Sequence, residues 1–217
     1  MKKRLVIWGA SGHARVVADI AMLSGDFDLA GFIDDRTPER RGEAFCGAQV
    51  LGGREVLPGL ASAGVSHGLL AFGDCTARVA LGAVLRSHGL ELAVAVHPSA
   101  VVASDVRLGA GTVVAANAVI NPNATIGENV IVNTSAVVEH DCVIGEGAHI
   151  APGARLAGRV QVGARAWVGL GALVIEDRRI GADSFIGAGA VVVEHIPDNV
   201  VAFGVPATVR RANGRSA

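Results

Sequence analysis

Val132-Asn133-Thr134-Ser135-Ala136-Val137-Val138-Glu139-His140-Asp141-Cys142-Val143-Ile144-Gly145 runs in sixes: Val132, Val138 and Ile144 open each six, and Ala136 and Cys142 hold the fifth place. The register extends both ways, from Val96 to Pro197, as seventeen consecutive sixes without insertion. Every six begins with Leu, Ile or Val, and the fifth position is mostly small, with Arg178 the clear exception. A slower period overlies the first, because Gly109, Gly127, Gly145, Gly163 and Gly181 recur every third six. Three sixes therefore make one coil, and the coils stack as a solenoid, each burying the face of the next.

Positions five and one then point inward across a short strand, so position six between them points outward, and turns occupy positions two to four. One outward column is Val113, Ile131, His149, Trp167 and Phe185; a second is Val101, Val119, Val137, Arg155, Leu173 and Val191. The third, Arg107, Thr125, Val143, Gln161 and Arg179, is mostly polar. Two apolar outer faces ask for cover, and a homotrimer packing both on neighbours is the economical expectation.

Upstream of Val96 the pattern is different. Leu5 to Trp8 reads as a buried strand running into Gly9-Ala10-Ser11-Gly12-His13, with a helix from Ala14 to Leu23. Strands at Leu29 to Ile33, Val65 to Phe72 and Leu92 to Val96, with a helix from Thr76 to Ser87, complete a set of parallel βαβ units. The fold class is therefore an α/β Rossmann-like domain over residues 1–95, a hexapeptide-repeat β-helix over 96–197, and a closing segment and tail over 198–217. Asn199 to Pro206 reads as irregular, with a basic tail after it.

Composition narrows the function. With 19 Lys and Arg against 20 Asp and Glu, net charge -1, the chain has no electrostatic footprint for nucleic acid. Glycine reaches 29 residues while aromatics make up 4%, as tight turns with little room for large side chains require. Mean hydropathy is +0.46, yet no uninterrupted apolar run reaches the ~18 residues of a membrane span. Neither a membrane partner nor a signal peptide is expected, and three isolated cysteines without CxxC spacing point to a reduced, cytoplasmic protein.

The glycine loop lacks the middle glycine of the dinucleotide fingerprint. One reading is a tight strand-to-helix turn with no ligand. The other is a nucleotide site, since the loop opens a helix N-terminus and Asp34 and Asp35 stand at the next strand end. On that reading Gly9, Ser11, Gly12, His13, Asp34 and Asp35 contact a mononucleotide or its sugar conjugate. His13 touches phosphate or sugar, stacks on the substrate, or does neither.

A short βαβ domain with GASGH, unbroken hexapeptides carrying VNTSAVVEHDCVIG, and a terminal FGVPA resemble the nucleotide-sugar acetyltransferases with a left-handed parallel β-helix. Within them the chain is most similar to the sialic acid O-acetyltransferase and bacillosamine-pathway N-acetyltransferase group, from Leu5 to Ala207. The resemblance implies acetyl-CoA as co-substrate, a nucleotide-linked amino sugar as acceptor, and His140 as general base paired with Asp141. It also implies a place near the thioester carbonyl for His149, and an acetyl-CoA groove that includes Gly158 and Leu170. Gly158 lies one coil from His140 and is the expected oxyanion donor. Asn133 either orients substrate or caps its turn, and the alternative for His149 is a simple interface histidine.

His140 and His149 lie half a coil apart, so the expected active site is shared between two subunits of the homotrimer. No metal is expected, since only these two histidines lie in the expected cleft and a zinc site of the carbonic anhydrase kind needs three. O-acetylation of a sugar hydroxyl uses the same His–Asp pair and stays open, as does a non-catalytic sugar-nucleotide scaffold.

Overall fold

The structure is a computed structural model that describes residues 2–214; the end of the expected basic tail, 215–217, lies outside the described residues. The chain forms two compact units, Met1–Pro98 and Ser99–Ala217.

In the first unit β1 (Lys3–Trp8), α1 (Gly12–Ser24), β2 (Phe27–Ile33), β3 (Ala44–Phe45), β4 (Ala48–Gly52), α2 (Leu57–Leu60), β5 (His67–Leu70), α3 (Cys75–Ser87) and β6 (Glu91–Leu92) follow in order. The strands form one sheet, β3-β4-β2-β1-β5-β6, parallel except for the β3–β4 pair. Leu5, Val6 and Ile7 are fully buried, as the continuous apolar run of a strand covered on both faces requires. The order reverses at β1, with β2 on one side and β5 on the other, so a crevice opens beyond the carboxyl ends of these strands.

Two features depart from the sequence reading. The run Leu92 to Val96 is split, because the ladder to β5 ends at Leu92. The β3–β4 hairpin escaped notice because its turn is Cys46-Gly47, without the Asn-Gly or Asp-Gly pair that marks such turns; both residues have positive φ, 43° and 80°.

The second unit is a parallel β-helix of two-residue strands, and its three outward columns are the expected ones. Val113, Ile131, His149, Trp167 and Phe185 pair in sequence. So do Val101, Val119, Val137, Arg155, Leu173 and Val191, and Arg107, Thr125, Val143, Gln161 and Arg179. The fourth residue of the six takes the left-handed conformation, as at Asn117, Asn123, Asn129, Asp141 and Asp177. Asn and Asp bear that conformation best after glycine, which is why these turns are rich in them. The glycine at each third six marks close coil contact: a Cβ at Gly145 would sit 2.6 Å from the Ala164 nitrogen.

The segment read as irregular is a hairpin. Val200–Gly204 pairs with Ala207–Ala212 and continues the Phe185 strand, Phe185 facing Val201. It covers an edge the last coil would otherwise expose, and it escaped notice because it leaves the six-residue register. The reading that two apolar faces need neighbours also changes. Val113, Ile131 and His149 are 1%, 1% and 4% exposed in the single chain, so cover is left to be found for the column of Val101 (62% exposed) and Leu173 (43%).

Candidate active site

The crevice of the first unit encloses about 700 Å³ and is lined by Trp8, Gly9, Ser11, His13, Asp34, Asp35, Arg40 and Arg54, among others. Gly9 (φ 121°) has no room for a side chain, since a Cβ would lie 2.9 Å from the Ala71 carbonyl oxygen. The loop therefore closes tightly onto the end of β5. Ser11 is the N-cap of α1, yet its hydroxyl makes no capping bond. Gly12, the first residue of the helix, has open space where a Cβ would be.

The two aspartates line the crevice but are committed within the chain. Asp34 Oδ1 accepts from the N–H groups of Arg36 and Thr37 at 3.0 and 3.3 Å, and Oδ2 accepts from the Thr37 hydroxyl and from Arg40 Nη1 at 3.1 Å. These bonds hold its carboxyl below the usual range against the opposing pull of burial. Asp35 takes the Arg54 N–H at 2.6 Å and its Nη2 at 2.8 Å. Their visible work is to build the rim and aim Arg40 and Arg54. Arg40 Nη1 also donates to the Ala10 carbonyl at 2.8 Å, fastening the glycine loop.

Arg78, 1% exposed, lies behind the loop and donates to the carbonyls of Phe72 and Gly73 at 3.1 and 3.0 Å. Burial first, and then the Arg78 charge, press His13 down to about 4, so its imidazole is neutral at pH 7. A neutral ring, several guanidinium groups and an open helix N-terminus suit an anionic phosphate ester. The sequence reading missed Arg40, Arg54 and Arg78. The tertiary turn at Asp34 brings Arg40 and Arg54 to the crevice, and burial sets Arg78 behind the loop; neither leaves a spacing to read.

On the β-helix, His140 and Asp141 occupy the third and fourth places of one turn. Their side chains are 50% and 42% exposed, and His140 Nδ1 meets Asp141 Oδ2 at 2.7 Å. Asp141 has φ 61°, and the left-handed turn brings its carboxylate back to the neighbouring ring. The bonds from His140 and then Asn123 lower the Asp141 pKa, so it is a carboxylate at neutral pH. With Nδ1–H donated to it, the lone pair is on Nε2.

Gly158 lies against that same edge: a Cβ there would be 2.7 Å from both Cε1 and Nε2. Its missing side chain thus makes room for the imidazole itself. The coil-to-coil bonds engage N–H groups such as those of Glu139 and Arg159, at the second and fourth places. Among the described residues the third-place N–H of Gly158 lies outside that ladder. The Nε2 edge of the ring thus faces Gly158.

His149 is built differently. It is buried in the strand column, its ring centroid 4.1 Å from that of Trp167, which stacks in turn on Phe185 at 5.8 Å. Asn133 does two things: its Oδ1 accepts from the Thr134 N–H at 2.8 Å, capping the turn, and its Nδ2 meets His149 Nε2 at 3.0 Å. Leu170, 58% exposed, stands at a turn tip between Gly169 and Gly171. Cys142 is buried with its Sγ 3.2 Å from the Ala157 carbonyl, and burial pushes its thiol up to about 11, which removes it as a nucleophile. Among the described residues no three His, Cys, Asp or Glu side chains gather as a metal set would.

Residues 4–83 match the PglD N-terminal domain, and residues 123–158 match the bacterial transferase hexapeptide (six repeats). No curated protein matches the chain. Among solved structures, PerB from Caulobacter crescentus, in complex with CoA and GDP-perosamine, is 45% identical with a TM-score of 0.90, covering 95% of this chain and 96% of that one. The acetyltransferase domain of PglB from Neisseria gonorrhoeae, in complex with acetyl coenzyme A, is 34% identical over 97% of this chain and 100% of that one, at a TM-score of 0.90. WeeI from Acinetobacter baumannii is 26% identical, covering 96% and 100%, at 0.83.

Proposed function

The chain belongs to the family of left-handed β-helix nucleotide-sugar N-acetyltransferases, and on that premise we propose that it transfers acetyl from acetyl-CoA to the amine of a GDP-linked 4-amino-deoxyhexose. Support for the GDP carrier is the 45% identity to PerB, which binds GDP-perosamine. The nucleotide's phosphates belong in the crevice of the first unit, with Gly9, Ser11, Gly12 and His13 facing them and Asp34 and Asp35 holding Arg40 and Arg54 in place.

The observation that carries the chemistry is the His140–Asp141 contact at 2.7 Å with Gly158 on the Nε2 edge. The free amine attacks the thioester carbonyl, and its nitrogen forms the new C–N bond as the carbonyl π pair moves to oxygen. The Gly158 N–H stabilises that oxyanion. His140 Nε2 accepts the amine proton, the C–S bond breaks as the carbonyl re-forms, and the imidazolium returns its proton to the CoA thiolate. Asp141 keeps the ring oriented and stabilises the imidazolium. No acyl-enzyme is formed. His149 and Asn133 shape the acetyl-CoA side, with exposed Leu170 against the pantetheine.

Among the described residues no helix is long and apolar enough to cross a membrane. We place the enzyme in the cytoplasm, where acetyl-CoA and nucleotide sugars are made. It acts as a homotrimer with active sites between subunits, supported by the exposed apolar column of Val101 and Leu173. The test is mass-spectrometric detection of acetylated sugar nucleotide from acetyl-CoA and GDP-perosamine, with UDP- and dTDP-linked amino sugars and free sialic acid as alternative acceptors. Product with the GDP-linked amine supports the reading; product from sialic acid alone sinks it.

A further inference from the structure

The turn that carries Asp141 is stacked between two like it, and the residues in the same place on these coils differ in what they offer. One coil earlier stands Asn123, also left-handed at φ 62°. Its side-chain Nδ2 donates to Asp141 Oδ1, while Asp141 Oδ2 is the atom on His140 Nδ1. One coil later stands Arg159, the nearest cation, but it is engaged with Asp177 through two bonds, 2.6 Å from Nε and 2.7 Å from Nη2.

Asn123 is itself anchored, since its backbone N–H donates to Asp105 Oδ2 at 2.9 Å. The charged groups around the pair are thus Asp105 before it, Arg159 and Asp177 after it, and Glu139 in the same turn, whose carboxylate accepts from Asn121 at 2.8 Å.

We propose that Asn123 is a positioning residue for the transfer: by occupying one oxygen of Asp141 it keeps the other on His140 Nδ1, and so fixes the tautomer that leaves Nε2 to take the amine proton. Without that amide, the half-exposed carboxylate is free to rotate toward solvent or toward Arg159, and nothing else in the turn holds the ring proton on Nδ1. The inference rests on His140 being the base, but it can be tested apart from turnover.

Asn123→Gly removes the amide while keeping a residue that accepts positive φ, and Asn117→Gly, at the same turn place on another face, is the control for backbone effects. In the wild-type protein the nitrogen-15 spectrum of the His140 ring shows the Nδ1–H tautomer, and in Asn123→Gly it shows a mixture of the two. For acetyl transfer, Asn123→Gly lowers kcat by about tenfold with KM for both substrates changed less than about twofold; Asn117→Gly changes neither.

Asn123→Asp, nearly isosteric, replaces the donor with a second carboxylate. It favours the imidazolium, and because only neutral His140 is the base, the acid limb of kcat/KM moves to higher pH by about one unit. An unchanged tautomer in Asn123→Gly, or an unmoved acid limb in Asn123→Asp, overturns the proposal. If the wild-type enzyme transfers no acetyl to any amino sugar, the functional reading fails while the tautomer measurement still decides the role of Asn123.

Discussion

His140 and His149 lie half a coil apart in the same repeat, and the protein treats them as different chemical objects. His140 is in a turn, half exposed, with a carboxylate on one nitrogen and a glycine at the other. His149 is in a strand, 4% exposed, against the Trp167 ring and held by the Asn133 amide. A proton shuttle must meet substrate and must favour its charged form for an instant. Only the turn position offers both, because a third-place side chain projects past the coil and the left-handed fourth residue curls its carboxylate back. The strand position supplies a fixed, buried ring. On the proposed reaction, the difference favours His140 for proton transfer and His149 for shape.

That contrast can be broken in several places. Asp141→Asn keeps the size of the partner but removes the charge that stabilises the imidazolium and reverses the preferred tautomer. The expected loss in kcat is about a hundredfold, smaller than for a buried triad aspartate because this carboxylate is half exposed. Steady-state kinetics with both substrates saturating measures it, and a loss below threefold would show that Asp141 is only a turn residue. The same pair predicts a pH trend. Asp141 is depressed below its usual carboxylate range by its bonds to His140 and Asn123, so it stays ionised as pH falls from 7 to 5, and any decline in turnover over that interval is not a loss of this carboxylate.

Gly158→Ala places a methyl where the imidazole edge now lies, 2.7 Å away. The ring must swing off Asp141, and about a tenfold loss in kcat is expected, with thermal stability nearly intact since the ring lies at the surface. A crystal structure with His140 unmoved would contradict this. His149→Ala should behave in the opposite sense. Emptying a site beneath Trp167 costs about 2–3 kcal/mol of folding stability by chemical denaturation. It raises KM for acetyl-CoA through the loosened Asn133 turn while kcat falls less than in Asp141→Asn. The smallest effect is at Cys142: with its thiol pushed up to about 11 and buried, brief treatment with iodoacetamide at pH 7 leaves activity unchanged, read by assay and intact mass.

Much of this was legible in the chain. The six-residue register predicted each strand and all three outward columns, because a solenoid repeats its sterics and so its residues. The His140–Asp141 pair was legible through the family resemblance that VNTSAVVEHDCVIG carries. What escaped had tertiary causes. Asp34 reads as a ligand at a strand end, and only the folded turn shows it spent on Thr37, Arg36 and Arg40. The closing hairpin leaves the register at Pro197, where periodicity stops speaking. Burial of Val113 and Ile131 in the single chain likewise cannot be inferred from an outward column. Asn123, by contrast, was within reach, since the spacing of one coil places it directly beside Asp141.

The most direct test is the turnover number of His140→Ala with acetyl-CoA and the GDP-linked amino sugar, beside equilibrium binding of both substrates. The contrast between the two histidines predicts a fall in kcat of about a thousandfold or more with binding nearly unchanged. Turnover within tenfold of wild type, with both substrates bound, would contradict it and return the base to another residue.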